Sequence, residues 1–558
     1  MVVSLAWILA LLLSSSLASA AIVEHTFNVG NMRIQRLCKH QVVTAVNGKI
    51  PGPTIRVREG DTLVVHVFNN SPYNITIHWH GIFQVMSAWA DGAEYVTQCP
   101  IQAGHSFSYR INIIGQEGTL WWHAHSSFLR ATVHGALFIR PRRGRPYAFL
   151  RPYKEVPILL GEWWKDDVME IDSQVLPPSD AFMINGLPGD LYNCSQEGMF
   201  KLKVKAGKTY LLRIINTNLI TQVFFKLANH NFTVVAIDAV YTPPLVTDVV
   251  VAGPGQTTDV LLEANQPIGS YYMAASVYYS TTAAFDNTTA RGLVVYQGSQ
   301  SASPPMPLMP VYNDTKTANK FYTNLTGLPI GPHWAACPDQ VDQSLFMVFG
   351  VNLERCHKNG TCLGPFGFNF SASINNESFV LPSDVGVSML EAFYKGVSGV
   401  YTRDFPNGPP YEFDYTSPNT SLDFTRIFAH KSTKVKRVRF NSTVEIVLQS
   451  TSFLDVENHP MHLHGFNFYV LAQGYGNYNA TRDREKFNLV NPQMRNTIGV
   501  PRGGWAVIRF KANNPGIWFF HCHIDTHMGW GLAMAFEVEN GPTPSTTLPP
   551  PPPNMPKC

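Results

Sequence analysis

One plan of residues recurs three times along the 558-residue chain, and such repetition restricts the fold to tandem copies of one unit. Each copy opens with a turn-forming tag: VNGKIPG from position 46, INGLPG from 184 and INNESF from 374. Each continues into alternating strand residues, as in Thr54-Ile55-Arg56-Val57, KLKVKAGKTYLLRIIN from 201 and RVRFNSTVEIVLQS from 437. Each closes with a glycine, an aromatic strand and a final apolar strand. Short strands, frequent Gly and Pro turns and no sustained 3.6-residue periodicity predict an all-β chain of three tandem Greek-key β-sandwich domains. The length exceeds a single core, and 45% hydrophobic against 15% charged residues suits several well-buried domains. The expected domains are 21–143, 144–300 and 340–541, with a Ser-, Pro- and Thr-rich linker at 301–339 and a Pro-rich tail at 542–558.

The closing strand of the third copy runs into HCHIDTHMGWGL from 521. Residues two apart on a strand share a face, so His521 and His523 point one way and Cys522 the other. One element can then touch two metal centres. A thiolate with two imidazoles suits copper, and His527, five residues after Cys522, can supply one of them. Three more alternating sets stand in HWHG (His78, His80), WWHAH (His123, His125) and HPMHLHG (His459, His462, His464). The eight imidazoles of His78, His80, His123, His125, His462, His464, His521 and His523 exceed what one mononuclear site uses, and His459, Cys522 and His527 complete a separate blue-copper set.

These motifs, with WADGAEYVTQCPI, WWHAHSSFLRATVHGALFI, INGLPGDLYNCS and ENHPMHLHGFNF, resemble those of multicopper oxidases and of plant laccases in particular, over essentially the whole chain. The resemblance implies cupredoxin-like domains and four copper ions. His459, Cys522 and His527 would hold one type 1 copper, and His78 and His462 one type 2. The two type 3 ions would fall to His80, His123, His125, His464, His521 and His523. It implies one-electron oxidation of phenols coupled to reduction of dioxygen to two waters, as in a laccase (hydroquinone:oxygen oxidoreductase), with Cys522, His521 and His523 carrying electrons between centres. Asp91 and Asp525 match the family's proton-relaying acids; the plainer readings are a turn-forming Asp91 and a helix-capping Asp525. Ten residues after Cys522 stands Leu532, an axial residue that cannot coordinate and should raise the potential of the blue copper. Counting five residues from the closing glycines, Gly118 leads to His123 and Gly516 to His521, but Gly269 leads to Ala274, so no copper is expected in the middle domain. The competing readings are an ascorbate oxidase, against which Leu532 argues, a ferroxidase, which Asp455 and Glu457 keep open, and a non-catalytic cupredoxin-like wall protein, which would have lost ligands.

The first twenty residues form a short apolar run ending Ala18-Ser19-Ala20, read as a secretory signal peptide at 1–20. No other stretch is apolar for long enough to cross a bilayer. Asn-x-Ser/Thr sequons at Asn231, Asn287, Asn313, Asn324, Asn376 and Asn479 agree with a glycoprotein on the secretory route. The expected location is extracellular, in the apoplast or cell wall, and the expected state a monomer. The formal charge of +3 gives no nucleic-acid signal, and the one concentrated basic run is KSTKVKRVR at 431–439, read as a solvated strand edge. Of eight cysteines, one is committed to copper if Cys522 is a ligand, leaving an odd number. The resemblance suggests pairs Cys38–Cys194 and Cys99–Cys558; Cys356 and Cys362 are close enough for a local loop, and Cys337 is left over.

Overall fold

Each of the three tags folds as a two-residue hairpin turn. Val46 bridges to Lys49, Ile184 to Leu187 and Ile374 to Glu377. The residues between them, Asn47-Gly48, Asn185-Gly186 and Asn375-Asn376, all have φ between 52° and 75°. Two successive left-handed residues make a type I′ turn, which selects Asn and Gly. The first turn asparagine makes the same bonds in every copy. Its side-chain oxygen accepts from the backbone N–H of Asn28, Leu159 or Val348. Its amide donates to the carbonyl two residues earlier, of Thr26, Pro157 or Phe346. The strand clamped in this way, Ile22–Arg36, Lys154–Trp163 or Gln343–Glu354, then pairs in parallel with Thr62–Asn69, Thr209–Asn216 or Ser442–Ser450.

The computed structural model describes residues 20–171, 176–192, 198–279, 284–300, 303–356, 362–417, 425–454 and 457–558. Residues 1–19 of the expected leader, Cys194 and Asp455 lie outside the described residues. The strands form three sandwiches of two sheets each, with four and four, six and five, and eight and five strands in chain order. Sheet neighbours such as Ile22–Arg36 beside Thr62–Asn69 are not consecutive, as Greek-key connections require. Alternation drives each core: in Ser106–Asn112, Phe107, Tyr109 and Ile111 are buried while Ser106, Ser108 and Arg110 face solvent. The three apolar cores are separate, centred on residues such as Phe27 and Trp79, Phe224 and Tyr296, and Ile446 and Trp518.

Among the strands that break the alternation because both of their faces are covered, four carry or flank the histidine motifs. They are β1 (Ile77–His80) and β2 (Gly118–Ala124) of the first sandwich, and β3 (His459–Leu463) and β4 (Gly516–Cys522) of the third, every residue of them buried. β1 pairs antiparallel with β2, setting His78 opposite His123, and β3 pairs antiparallel with β4, setting His462 opposite His521. The equivalent strand of the middle sandwich, Ser270–Tyr278, carries Ala274, Ala275 and Ser276.

The 301–339 segment is more than a linker: Asp314 caps a helix, Thr315–Thr323, which docks Ala318 and Phe321 on the middle core. Disulfides join Cys99 to Cys558 and Cys356 to Cys362. The first returns the tail to the first domain, where the Trp89 indole N–H donates to the Pro549 carbonyl at 2.8 Å. Cys38 is disulfide-bonded, whereas Cys337 is a free thiol buried beside Tyr469 and Trp505. No helix among the described residues is long and apolar enough to cross a membrane.

The asparagine clamp gives a direct test. Asn375→Ala removes two side-chain hydrogen bonds and places alanine in the left-handed region, an expected loss of about 2–4 kcal/mol. Calorimetry should show a lowered melting temperature, with Asn375→Gly, which keeps the backbone conformation, recovering part of it.

Candidate metal centre

The outer sandwiches meet through β1 and β2 on one side and β3 and β4 on the other, bringing eight imidazoles into one buried cluster. His78 stacks on His464 with ring centroids 3.9 Å apart, and His80 on His462 at 3.8 Å. The middle domain braces the cluster: a Cβ on Gly255 would lie 2.9 Å from His80 and 3.0 Å from His523, an approach only glycine permits. Its neighbour Gln256 donates its side-chain amide to the Thr497 carbonyl at 3.1 Å.

Six of the eight rings, those of His78, His80, His123, His462, His464 and His521, are fixed by a hydrogen bond on the nitrogen that faces away from the cluster. Nδ1 of His78, His462, His123 and His521 meets the carbonyl oxygens of Asp91, Asn496, Ala124 and Cys522 at 2.7–2.9 Å. A carbonyl only accepts, so these Nδ1 atoms carry the proton and each Nε2 is left with a lone pair. His464 Nδ1 meets the Asp91 carboxylate at 2.9 Å with the same result. His80 is turned the other way: Nε2 meets Asn496 Oδ1 and Thr497 Oγ1 at 3.1 and 3.0 Å, and Nδ1 faces His523 Nε2 at 3.2 Å.

The inward nitrogens have no donor to meet. His78 Nε2 and His462 Nε2 are 3.4 Å apart, and His464 Nε2 and His521 Nε2 3.1 Å. His123 Nε2 and His125 Nε2 are buried with no hydrogen-bond partner. Buried lone pairs aimed at one another are unfavourable unless a cation lies among them. Burial, and then neighbouring imidazoles and Arg130, hold seven of the eight rings well below the ordinary histidine range, and burial brings His125 to about 4. They are therefore uncharged near neutral pH, the form that binds metal. The donor set fits a cluster of imidazole-bound transition-metal ions.

A second set lies across β4. Cys522 Sγ is 3.8 Å from His459 Nδ1 and 3.6 Å from His527 Nδ1, all three buried. Burial takes His459 to about 3. Leu532, fully buried, accepts the Cys522 backbone N–H at 3.0 Å and offers no ligand atom from its side chain. The ligand atoms of this set lie within 4.8 Å of one another, as do those of three imidazole sets: His78, His80 and His123; His78, His462 and His464; and His125, His464 and His521.

Asp91 is fully buried and touches both His78 and His464, more than a turn residue needs. Asp525 does not cap its short helix, Asp525–Gly529, whose N-cap is Ile524. Its carboxylate lies 3.1 Å from Arg130 Nη2; burial lifts it to about 6, against the pull of that guanidinium. Arg130 also donates to the His523 carbonyl at 3.0 Å, tying the first domain to the cluster from outside. Arg130, in the short helix Ser127–Ala131, Asn496, and Thr497, at the start of the strand Thr497–Val500, were not singled out by sequence reasoning, because isolated polar residues carry no periodic or spacing signal. Glu457 was noted only as an acid near His459; it lies 2.9 Å from His527 Nε2.

Three family models described as Multicopper oxidase match residues 28–144, 154–299 and 404–542. The chain belongs to the multicopper oxidase family. Within it, the chain falls among the plant laccases and is an oxidoreductase with copper as its cofactor. It is 58% identical to Laccase-7 of Arabidopsis thaliana, over 100% of this chain and 99% of that protein. To Laccase-9 of the same plant it is 56% identical, over 99% and 95%. The solved structure of laccase from Botrytis aclada superposes with a TM-score of 0.73 at 27% identity, covering 93% of this chain and 88% of that one.

Because the cluster sits between the first and third domains, removing metal should loosen that interface. Copper-loaded protein stripped with a chelator should melt lower and become more sensitive to protease between these domains, both effects reversing on copper addition; an unchanged melting temperature would contradict the clamp.

Proposed function

We infer that the chain is a secreted laccase oxidising phenols such as monolignols, in lignin polymerisation or degradation or in phenolic detoxification, through four one-electron steps coupled to reduction of dioxygen to two waters. The observation that carries this reading is β4, which presents Cys522 to one ligand set and His521 to the other from adjacent positions. His459, Cys522 and His527 would hold the type 1 copper, and His78 and His462 the type 2. The type 3 pair is shared between His80, His123 and His523 on one side and His125, His464 and His521 on the other, for four copper ions in all. Proximity supports this division: His80 Nδ1 lies 3.2 Å from His523 Nε2, and His464 Nε2 3.1 Å from His521 Nε2. Export to the apoplast or cell wall rests on the leader and the sequons, and a monomer is the expected state.

Bound copper supplies the one-electron redox chemistry at both centres. The chain supplies the path, the orientation and the protons. The covalent backbone from His521 through Cys522 to His523 joins the two sets without crossing solvent. Asp91 fixes His78 and His464 together, and Asp525, held by Arg130, is a buried carboxyl from which protons reach the oxygen-reducing end. At the substrate end, the Glu457 carboxylate beside the edge of His527 accepts the O–H of an arriving phenol and takes the proton that leaves as the radical forms. Leu532 offers no side-chain ligand atom beside Cys522, which would raise the potential of a copper held there and suit phenols that are hard to oxidise.

Oxygen uptake by copper-loaded protein, with coniferyl alcohol, ascorbate and ferrous iron offered separately and peroxide assayed in the same vessel, tests the reading. Rapid uptake with the phenol and no peroxide is expected; uptake with ascorbate or iron alone would overturn the substrate class. Glu457→Gln should lower kcat/KM for the phenol roughly 10- to 100-fold while leaving oxidation of ferrocyanide, which has no proton to lose, close to unchanged.

A further inference from the structure

The basic residues of this chain are not spread as the linear sequence suggests. The expected basic run at 431–439 forms strand edges at His430–Ser432 and Val435–Val438, where Lys431 pairs with Glu354, Lys434 with Glu377 and Arg437 with Glu539. A longer, sparser set lies at 140–154, RPRRGRPYAFLRPYK, which holds Arg140, Arg142, Arg143, Arg145, Arg151 and Lys154 and no acidic residue. Prolines and aromatic residues dilute it in sequence, and the turns between the first two domains gather it in space.

The result is a cleft of about 680 Å³ between the edge strand Ile55–Arg58 of the first domain and the start of Lys154–Trp163 in the second. Glu155 is the only acid lining it among the described residues, and it is already engaged by Arg140 at 3.2 Å, Arg213 at 3.4 Å and the Tyr147 hydroxyl at 2.6 Å. Arg213 is matched in turn by Asp259 at 3.0 Å. Arg56, Arg58, Arg145, Arg151 and Lys154 have no ion-pair partner among the described residues. These five cations share the cleft with a single carboxylate, although acids nearly balance bases over the whole chain. Lys205 and Lys208 add two more ammonium groups, 5.6 and 5.9 Å from the centroid of Tyr153 on the cleft wall. Tyr147 and Phe149 stack at 5.0 Å to form an aromatic face inside it.

The cleft is at the opposite edge of its sheet from β1: the order is Ile55–Arg58, His134–Arg140, β2, β1. It therefore stands apart from the ligand sets. Unpaired cations repel one another, and a groove that concentrates them raises the local density of anions. Guanidinium groups pair with carboxylates through two parallel hydrogen bonds, and aromatic faces accept the apolar faces of sugar rings. Several separate cations along an open groove match an anion repeated along a polymer better than one small ion.

We propose that this cleft binds acidic polysaccharide, a polyuronate chain whose carboxylates pair with Arg56, Arg145, Arg151 and Lys154, and so holds the enzyme on its matrix. The choice of a sugar polyanion over a nucleic acid rests on the secretory reading; the binding itself is measured on purified protein and does not depend on the export route.

The test compares retention of copper-loaded full-length protein on immobilised polygalacturonate, on neutral dextran and on double-stranded DNA at equal salt. Native protein should be retained on polygalacturonate, not on dextran, and released by added salt. The triple variant Arg145→Glu, Arg151→Glu, Lys154→Glu should bind polygalacturonate at least about tenfold more weakly while its phenol oxidation and blue absorbance stay the same. A charge-matched control, Lys431→Glu, Lys436→Glu, Arg439→Glu, should keep most of its retention. No retention of native protein, equal loss in the control, or tighter retention on DNA than on polygalacturonate would overturn the proposal. If the triple variant folds poorly, Arg145→Gln with Arg151→Gln replaces it, with the same fall expected in smaller measure.

Discussion

Eight uncharged imidazoles are held with their lone pairs facing inward between two domains, and most of the molecule is arranged around that contact. Nitrogens such as those of His464 and His521 approach to 3.1 Å with no proton between them. Buried lone pairs so placed are unfavourable unless a cation lies among them, which would couple metal binding to the docking of the first domain on the third. The outward nitrogens are fastened to carbonyls of β2, β4 and their flanking loops, so ring orientation is set by backbone and by Asp91. A ring free to rotate could turn its lone pair away; the six fastened rings cannot.

The sandwich supplies that rigidity by a repeated device. The clamp formed by Asn47, Asn185 and Asn375 fixes where the first strand of each domain sits relative to its turn. That strand takes one parallel neighbour, and the sheet continues from it by antiparallel pairing. The middle copy keeps the clamp but carries Ala274 and Ser276 where the others place histidines. Its contribution to the site is steric instead, through Gly255 against His80 and His523. One fold thus serves twice as a ligand carrier and once as a brace.

Much of the site was legible in the chain because its signals are local. The alternation of His521, Cys522 and His523 forces two faces whatever the surroundings, and an Asn-Gly tag specifies its turn within two residues. The helix Thr315–Thr323 was missed because a Ser-, Pro- and Thr-rich composition masks a single capping aspartate followed by one apolar face. Arg130 was missed because its importance comes from partners far away in sequence: Asp525 and the His523 carbonyl, the latter 393 positions distant. The basic cleft was missed because charge density in space differs from charge density along the chain.

The sequence by itself determined the three-fold β plan, the ligand types, the separation of thiolate from imidazoles across one strand and the non-coordinating Leu532, since each depends on residue chemistry and a two-residue period. Only the tertiary structure decided which imidazoles face one another, as His78 and His462 do across 384 positions. It also assigned Asp91 to two rings, placed Asp525 on Arg130 and set Glu457 against His527. Those outcomes depend on how separate sandwiches close on each other, and no local pattern encodes a contact between residues that meet only after the domains have packed.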